Sequence, residues 1–283
     1  MSGKIVISGA GGQLGQLVAQ ELKARGAIAN VTLASRDPAK IDGLGFKTVR
    51  ADFDDAASLA AAYAGADVVL FLSGDAPNEI RTPQHYRAID AAKAAGVKRI
   101  VYTSFTNASY DSLFDFATSH ADTEAYLKKS GVAYTVLRNN QYIENLNSGI
   151  AHAKEAGTLY QPGATGKVAY LRRADVAAAL AGAILGTGHE NKIYEITGPK
   201  AYDLFEIAKI LSEVTGKTIT AVDAVPADYG KMLSGFGLPD FLVKALLGIH
   251  AAGAAGEMNL VSKDAEVLAG RKIVSLEEHL RGA

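Results

Sequence analysis

Cysteine is absent from all 283 positions of the chain. That excludes disulfide scaffolds, thiolate nucleophiles, thiol redox couples, cysteine zinc sites and cysteine-ligated iron–sulfur clusters. Any redox chemistry therefore runs without protein thiols. No apolar run approaches the ~20 residues needed to cross a bilayer, and the apolar residues 5–9 after Met1-Ser2-Gly3-Lys4 are too few for a secretory signal. The expectation is a cytoplasmic protein with no membrane insertion. Charge of one sign is also missing: 29 basic against 30 acidic side chains leave a net charge of -1, with no long basic block, which argues against a nucleic-acid partner. What is present, 48% hydrophobic and 21% charged residues with 29 glycines and 7 prolines, is ordinary globular composition. At about 150 residues per domain the length suits two domains, or one large α/β domain with a small lobe.

Short apolar runs that read as strands buried on both faces alternate with alanine-rich stretches of helical spacing. Strands are expected at 4–8, 30–34, 46–50, 67–72, 99–103 and 133–138, and helices at 14–25, 56–63, 80–95 and 116–130. Strands separated by helix-length intervals need crossovers, so the fold class is α/β, a Rossmann-type parallel sheet with helices on both faces. Beyond Asn139 the rhythm loosens. Helices at 173–185 and 203–215 and strands at 192–196 and 218–222 precede two helices across 226–250, broken near Gly235-Phe236-Gly237-Leu238-Pro239. This predicts a smaller, mainly helical C-terminal lobe. Residues 1–150 are expected to form the sheet-bearing core and 151–283 mainly the smaller lobe, with segments returning to the core. The Gly/Ala-rich residues 248–256 suit a mobile hinge or a tightly packed turn equally.

The sharpest local signal is Gly9-Ala10-Gly11-Gly12-Gln13-Leu14-Gly15 between an apolar strand and a helix. Glycines tighten the turn and let backbone N–H groups at a helix start meet a pyrophosphate. Gly9, Gly12 and Gly15 fit a Gly-x-x-Gly-x-x-Gly pattern, and no Gly-Lys-Ser/Thr ending supports a Walker loop. After the second strand comes Ala34-Ser35-Arg36-Asp37-Pro38, where Ser35 and Arg36 offer hydrogen bonds and positive charge to a ribose phosphate. NADPH is thus preferred and NADH admitted, with neither metal nor flavin expected. Asp37 either approaches the ribose or caps the following turn. Asp52 and Phe53 either border the adenine or lead into a helix begun by Asp54-Asp55, and Ser73 and Gly74 end the fourth strand at the nucleotide crevice.

With these motifs, with Ala92-Lys93-Ala94-Ala95-Gly96-Val97-Lys98 and with Tyr134-Thr135-Val136-Leu137-Arg138-Asn139-Asn140, the chain resembles over nearly its whole length the NmrA-like, atypical branch of the short-chain dehydrogenase/reductases. It is similar in particular to bacterial NAD(P)H:quinone reductases and triphenylmethane-dye reductases. The resemblance implies an NADPH-binding core, selection of NADPH by Arg36, and a small lobe over the nicotinamide. It also implies that Thr103, Ser104, Phe105, Asn139, Asn140 and Tyr142 line the nicotinamide and substrate side, Thr103 and Asn139 toward the cofactor.

One departure matters chemically. In place of the Tyr-x-x-x-Lys pair of ordinary short-chain dehydrogenases, the helix after Ser104 carries His120-Ala121-Asp122-Thr123-Glu124. His120 and Glu124, spaced i,i+4, are candidates for a proton relay or for a simple packing pair; His85 is a weaker candidate. Residues 138–142 suit orientation of a nicotinamide or a quinone carbonyl, or else loop hydrogen bonding with an Asn145 helix cap. A quinone accepts hydride without the acid catalyst that an unactivated ketone needs, so the missing pair is compatible with turnover. The expected function is NADPH-dependent two-electron reduction of a quinone or similar conjugated aromatic acceptor. The alternatives are a reductase of triphenylmethane or azo dyes, an NADP(H)-responsive regulator, and a reductase of an aromatic natural product's carbon–carbon double bond. The last lacks its expected helix lysine. Monomer and homodimer are equally compatible with the sequence.

Overall fold

The structure, a computed structural model, describes residues 3–74 and 76–282. Its first half alternates β1 (Ile5–Ser8), α1 (Gln13–Ala24), β2 (Val31–Ser35), β3 (Lys47–Arg50), α2 (Ala56–Tyr63), β4 (Val68–Phe71), α3 (Asn78–Ala94), β5 (Arg99–Phe105), α4 (Asp115–Ser130) and β6 (Ala133–Asn139). The second half contains α5 (Asn147–Ala156), β7 (Thr158–Gln161), α6 (Arg173–Leu185), β8 (Lys192–Ile196), α7 (Leu204–Thr215), β9 (Thr220–Asp223), α8 (Pro226–Gly235), α9 (Asp240–Ala254), α10 (Asp264–Ala269) and α11 (Leu276–Leu280).

Seven strands form one sheet in the order β3-β2-β1-β4-β5-β6-β8, all parallel. Every residue of β1, β2 and β4 is buried, as a strand covered on both faces requires. Alternation then divides the core: Ile5 and Ile7 meet α1, α6 and α10 on one face, while Val6 meets α2, α3 and α4 on the other. The edge strand β3 exposes Lys47 and Arg50, charges that discourage pairing with a further strand. Strand order reverses between β1 and β4, which opens a crevice above their C-terminal ends. Tyr63 anchors this region by donating from its fully buried hydroxyl to Ser8 Oγ at 2.9 Å. Tyr63→Phe keeps the ring and loses the bond, so urea unfolding is expected to show a loss of about 1 kcal/mol.

A third apolar cluster builds the lobe over the crevice, joining Phe114 and Ala117 at the start of α4 to Ile150, Leu159, Leu211 and Ile249. The lobe includes a two-stranded parallel sheet that pairs β9, expected as a strand at 218–222, with β7, which was not expected. The helix α5 and the short α10 and α11 are also additions to the expected elements. The Gly/Ala-rich stretch is neither hinge nor turn over most of its length, because α9 continues through Ala254. Its glycines permit close approach. A Cβ on Gly248 would lie 2.7 Å from the Leu113 carbonyl oxygen, and one on Gly166 would lie 2.5 Å from the Gly253 carbonyl. Among the described residues, no helix is long and apolar enough to cross a membrane.

Candidate active site

The loop between β1 and α1 is shaped by four glycines with separate roles. Gly9 has φ +88°, and its N–H and that of Ala10 both donate to the Ala34 carbonyl, at 3.1 and 3.0 Å, which ties the loop to β2. Gly12 is the N-cap of α1, with no capping side chain and no acidic residue in the first turn. Gly15 packs the helix on the loop: a Cβ there would sit 2.6 Å from Ala10 Cα and 2.7 Å from the Gly9 carbonyl oxygen. Gly11 leaves room for the Ser35 hydroxyl, which a Cβ would approach to 2.5 Å. The result is an uncapped helix start with its first amides directed at the crevice, the arrangement that binds anionic phosphate. Leu14 turns its side chain into the core, so only its backbone faces the crevice, whereas Gln13 is exposed beside an open cleft of about 470 Å³ shared with Glu144 and Arg173.

At the end of β2, Ser35 is buried and accepts from the Asp37 N–H at 3.2 Å. Arg36 is exposed and makes no hydrogen bond or ion pair among the described residues. Asp37 caps the following turn by accepting from the Ala39 N–H at 3.2 Å, so its carboxylate is engaged locally. Asp52 pairs with Arg50 at 3.2 Å and accepts from the Asp54 N–H at 3.1 Å. The Phe53 ring meets Phe71 edge-on at 5.2 Å, and Asp55 rather than Asp54 caps α2.

Beyond the switch point, the Ser73 N–H donates to Thr103 Oγ1 at 3.0 Å, and the Ser73 hydroxyl lies 3.1 Å from His85 Nε2. Gly74 has open space around it. The strands β5 and β6 run further than expected because their pairing continues to Phe105 and Asn139. Asn139 is 3% exposed; its Nδ2 donates to the Tyr142 hydroxyl at 3.4 Å, while its Oδ1 is buried without a partner among the described residues. The Tyr142 ring is covered by the Arg173 guanidinium at 4.7 Å.

Four expectations need correction. Asn140 does not face substrate: it is 1% exposed, donates to the Met258 carbonyl at 2.9 Å and accepts from the Gln141 N–H at 2.8 Å, pinning the lobe to the sheet. Ser104 points to the opposite side of β5 from Thr103 and donates to Glu124 Oε1 at 2.7 Å. His120 and Glu124 do not pair with each other. Glu124 is gripped by Arg138 through two bonds of 2.8 Å, whereas His120 Nδ1 contacts the Tyr102 hydroxyl at 2.7 Å and its ring stacks near Phe105. Nor does Asn145 cap α5, whose N-cap is Leu146; its side chain bonds Gln141 and Arg173.

Burial is the main cause that pushes the His120 pKa down to about 3, with the Arg81 charge adding to it. Burial also lowers His85 well below the ordinary value, helped by His120 and Arg81. Both rings are neutral in the folded chain and bind protons only on unfolding, so stability is fully present above pH 6.5 and drains away as pH falls below it. At about 1.4 kcal/mol per unit, His120 alone removes about 2 kcal/mol at pH 5. Unfolding free energies from urea titrations at pH 7.5 and 5.0 are expected to differ by at least that much; equal values would contradict the assignment of neutral buried rings.

Tyr102, Thr123 and Arg81 escape sequence reasoning. They reach this cluster from a strand and two helices, and no local spacing marks them. Among the described residues, no group of three or more His, Asp or Glu side chains is placed to hold a metal ion.

The NAD(P)H-binding family matches residues 9–186 of the chain. Quinone oxidoreductase 2 of Escherichia coli is 37% identical over 277 residues, 97% of this chain and 96% of that one. The crystal structure of the E. coli NADPH-dependent quinone oxidoreductase complexed with NADPH superposes with a TM-score of 0.92 over 98% of both chains. That of the Citrobacter triphenylmethane reductase complexed with NADP(H) reaches the same TM-score of 0.92 at 31% identity, over 98% of this chain and 99% of that one.

Proposed function

Because the chain belongs to the NmrA-like, NAD(P)H-binding oxidoreductases, we propose that it uses NADPH to reduce a quinone or a similarly conjugated aromatic acceptor by two electrons. The observation that carries the cofactor choice is Arg36, exposed and unpaired at the end of β2 while the neighbouring Asp37 is engaged in its own turn. A guanidinium so placed meets a 2′-phosphate, and the adjacent Asp37 carboxylate serves as a turn cap rather than as the ribose-hydroxyl acceptor that an NAD-selective site places here. The residues fit the cofactor in two further respects: the uncapped start of α1 suits a pyrophosphate, and the buried, unpartnered Asn139 Oδ1 suits a donor at the far end of the crevice.

NADPH, when bound, supplies a hydride. The amides of residues 11 and 13–15 hold its pyrophosphate, the Gly12 N–H being spent on the Gly9 carbonyl at 3.2 Å; Ser35 and Arg36 hold its phosphorylated ribose, and Ser73, Thr103 and Asn139 its nicotinamide half. Asp52 and Phe53 border the adenine. Phe105 and Tyr142 flank the acceptor, offering ring faces and a hydroxyl to orient it. Ser104, Asn140 and Glu124 support this arrangement from behind. His120, beside Phe105, is the one of the two proposed relay groups left near the acceptor, and its neutrality suits orientation rather than acid catalysis.

Anaerobic assay of the purified chain with NADPH and a panel of quinones is expected to give one hydroquinone per NADPH oxidised. Triphenylmethane and azo dyes belong in the same panel. Tight NADPH binding with no turnover across it would count against an enzyme and for a cofactor-responsive regulator. Arg36→Glu is expected to weaken NADPH by about 10- to 100-fold, the worth of one to two charge-assisted bonds, and to leave NADH nearly unchanged. Equal affinity for the two cofactors in the unmodified chain would remove the selectivity argument.

A further inference from the structure

The polar side chains behind β4 are wired in one direction. Thr123 Oγ1 donates to the Ser119 carbonyl one turn back in α4, at 2.6 Å, which uses its only proton. The 2.7 Å contact between Thr123 Oγ1 and His85 Nδ1 must therefore carry the imidazole's proton. A neutral ring protonated at Nδ1 has a bare Nε2, and the group facing that nitrogen at 3.1 Å is the Ser73 hydroxyl. Ser73 thus donates to His85; its other acceptor, the Gly74 carbonyl, is further away at 3.4 Å. Tyr102 does not upset this order, because its hydroxyl is 2.7 Å from His120 Nδ1 and 3.4 Å from His85 Nδ1 and donates to the nearer ring. The His85 ring is fully buried and held edge-on by Phe71 at 4.8 Å. Its low pKa keeps it neutral in the folded chain.

With its proton committed, Ser73 Oγ has only lone pairs for anything in front of it. Its place in the sheet says what that is. The glycine loop follows β1, Arg36 follows β2 on one side, and Ser73 follows β4 on the other. If the pyrophosphate lies over β1 and the 2′-phosphate toward β2, the end of β4 belongs to the nicotinamide half, whose ribose hydroxyls and carboxamide are hydrogen-bond donors. We propose that His85 and Thr123 are positioning residues that hold Ser73 as a dedicated acceptor for a hydroxyl or amide donor on the nicotinamide half of the cofactor. This rests on the NADPH reading above.

The test is titration calorimetry of the full chain with NADPH and with adenosine 2′,5′-bisphosphate, which carries the adenosine half alone. Ser73→Ala and Thr123→Val are each expected to weaken NADPH by about 3- to 10-fold, one neutral hydrogen bond, and to leave the bisphosphate within about twofold. The double variant is expected to bind NADPH no more weakly than Ser73→Ala, since both remove one interaction. Thr123→Ser, which keeps the hydroxyl, restores affinity. Equal losses for both ligands, additive losses, or no loss of NADPH affinity overturns the proposal. Nitrogen-15 spectra of the unmodified chain give a reading independent of any variant: His85 is expected to be protonated at Nδ1, and protonation at Nε2 overturns it. If the unmodified chain binds neither ligand, the NADPH reading itself has failed; if it binds both and the variants do not separate them, only the positioning role has.

Discussion

Gly15→Ala is expected to cost at least about 100-fold in NADPH affinity, the worth of two misaligned charge-assisted hydrogen bonds to phosphate. The reason is that the atoms a Cβ would strike, Ala10 Cα at 2.6 Å and the Gly9 carbonyl oxygen at 2.7 Å, are backbone and have no rotamer to change. The helix must lift off the loop, and its first amides move with it. Overpacking should also lower stability by about 1–3 kcal/mol, so affinity is to be read well below the melting transition. Gly43→Ala is the control. It lies outside the loop, and a Cβ there would meet nothing within 4 Å, so binding should survive. Fluorescence titration of NADPH distinguishes the two, and wild-type affinity in Gly15→Ala would show that the close approach is not what aligns the amides.

Arg138→Met is expected to destabilise the chain by about 3–5 kcal/mol, the usual result of stranding one partner of a buried ion pair. Glu124 is only 3% exposed in its side chain and takes both Nε and Nη2 of Arg138 at 2.8 Å, with Ser104 as a third donor at 2.7 Å. Without the guanidinium its nearest cation is Lys128, at 3.7 Å. The double variant Glu124→Met with Arg138→Met removes both charges and should recover most of the loss. Urea unfolding of the cycle decides the matter: a single-variant cost below about 1 kcal/mol would reduce the pair to a surface contact.

The sheet and its helices were legible because burial on both faces forces continuous apolar runs, as in Ile5-Val6-Ile7, and because crossovers need helix-length intervals. The glycine loop was legible because its chemistry is local. The neighbourhood of Glu124 was not. The i,i+4 rule correctly places His120 and Glu124 one turn apart, but it says nothing about Arg138 and Ser104 arriving from β6 and β5, or Tyr102 arriving beneath His120. The same holds for Asn140, whose polar side chain reads as ligand-facing until Met258, far along the chain, comes to rest on it. The helix α5 was missed because its sequence, Asn147-Ser148-Gly149-Ile150, opens with weak helix formers and no side-chain cap.

The path of the chain between its two layers has an evolutionary consequence. After β6 it leaves for α5 and β7, returns to lay α6 and β8 in the sheet layer, and leaves again for α7, β9, α8 and α9 before α10 packs back against α6. The tightness of that return is visible at Gly182, where a Cβ would fall 1.8 Å from the Leu268 carbonyl oxygen. A lobe made of two separate excursions cannot be inherited as a single cassette, because one recombination event would carry away α6 and β8 with it. Each excursion is exchangeable by itself, but replacing the whole lobe over an intact layer takes two events, one on either side of α6 and β8.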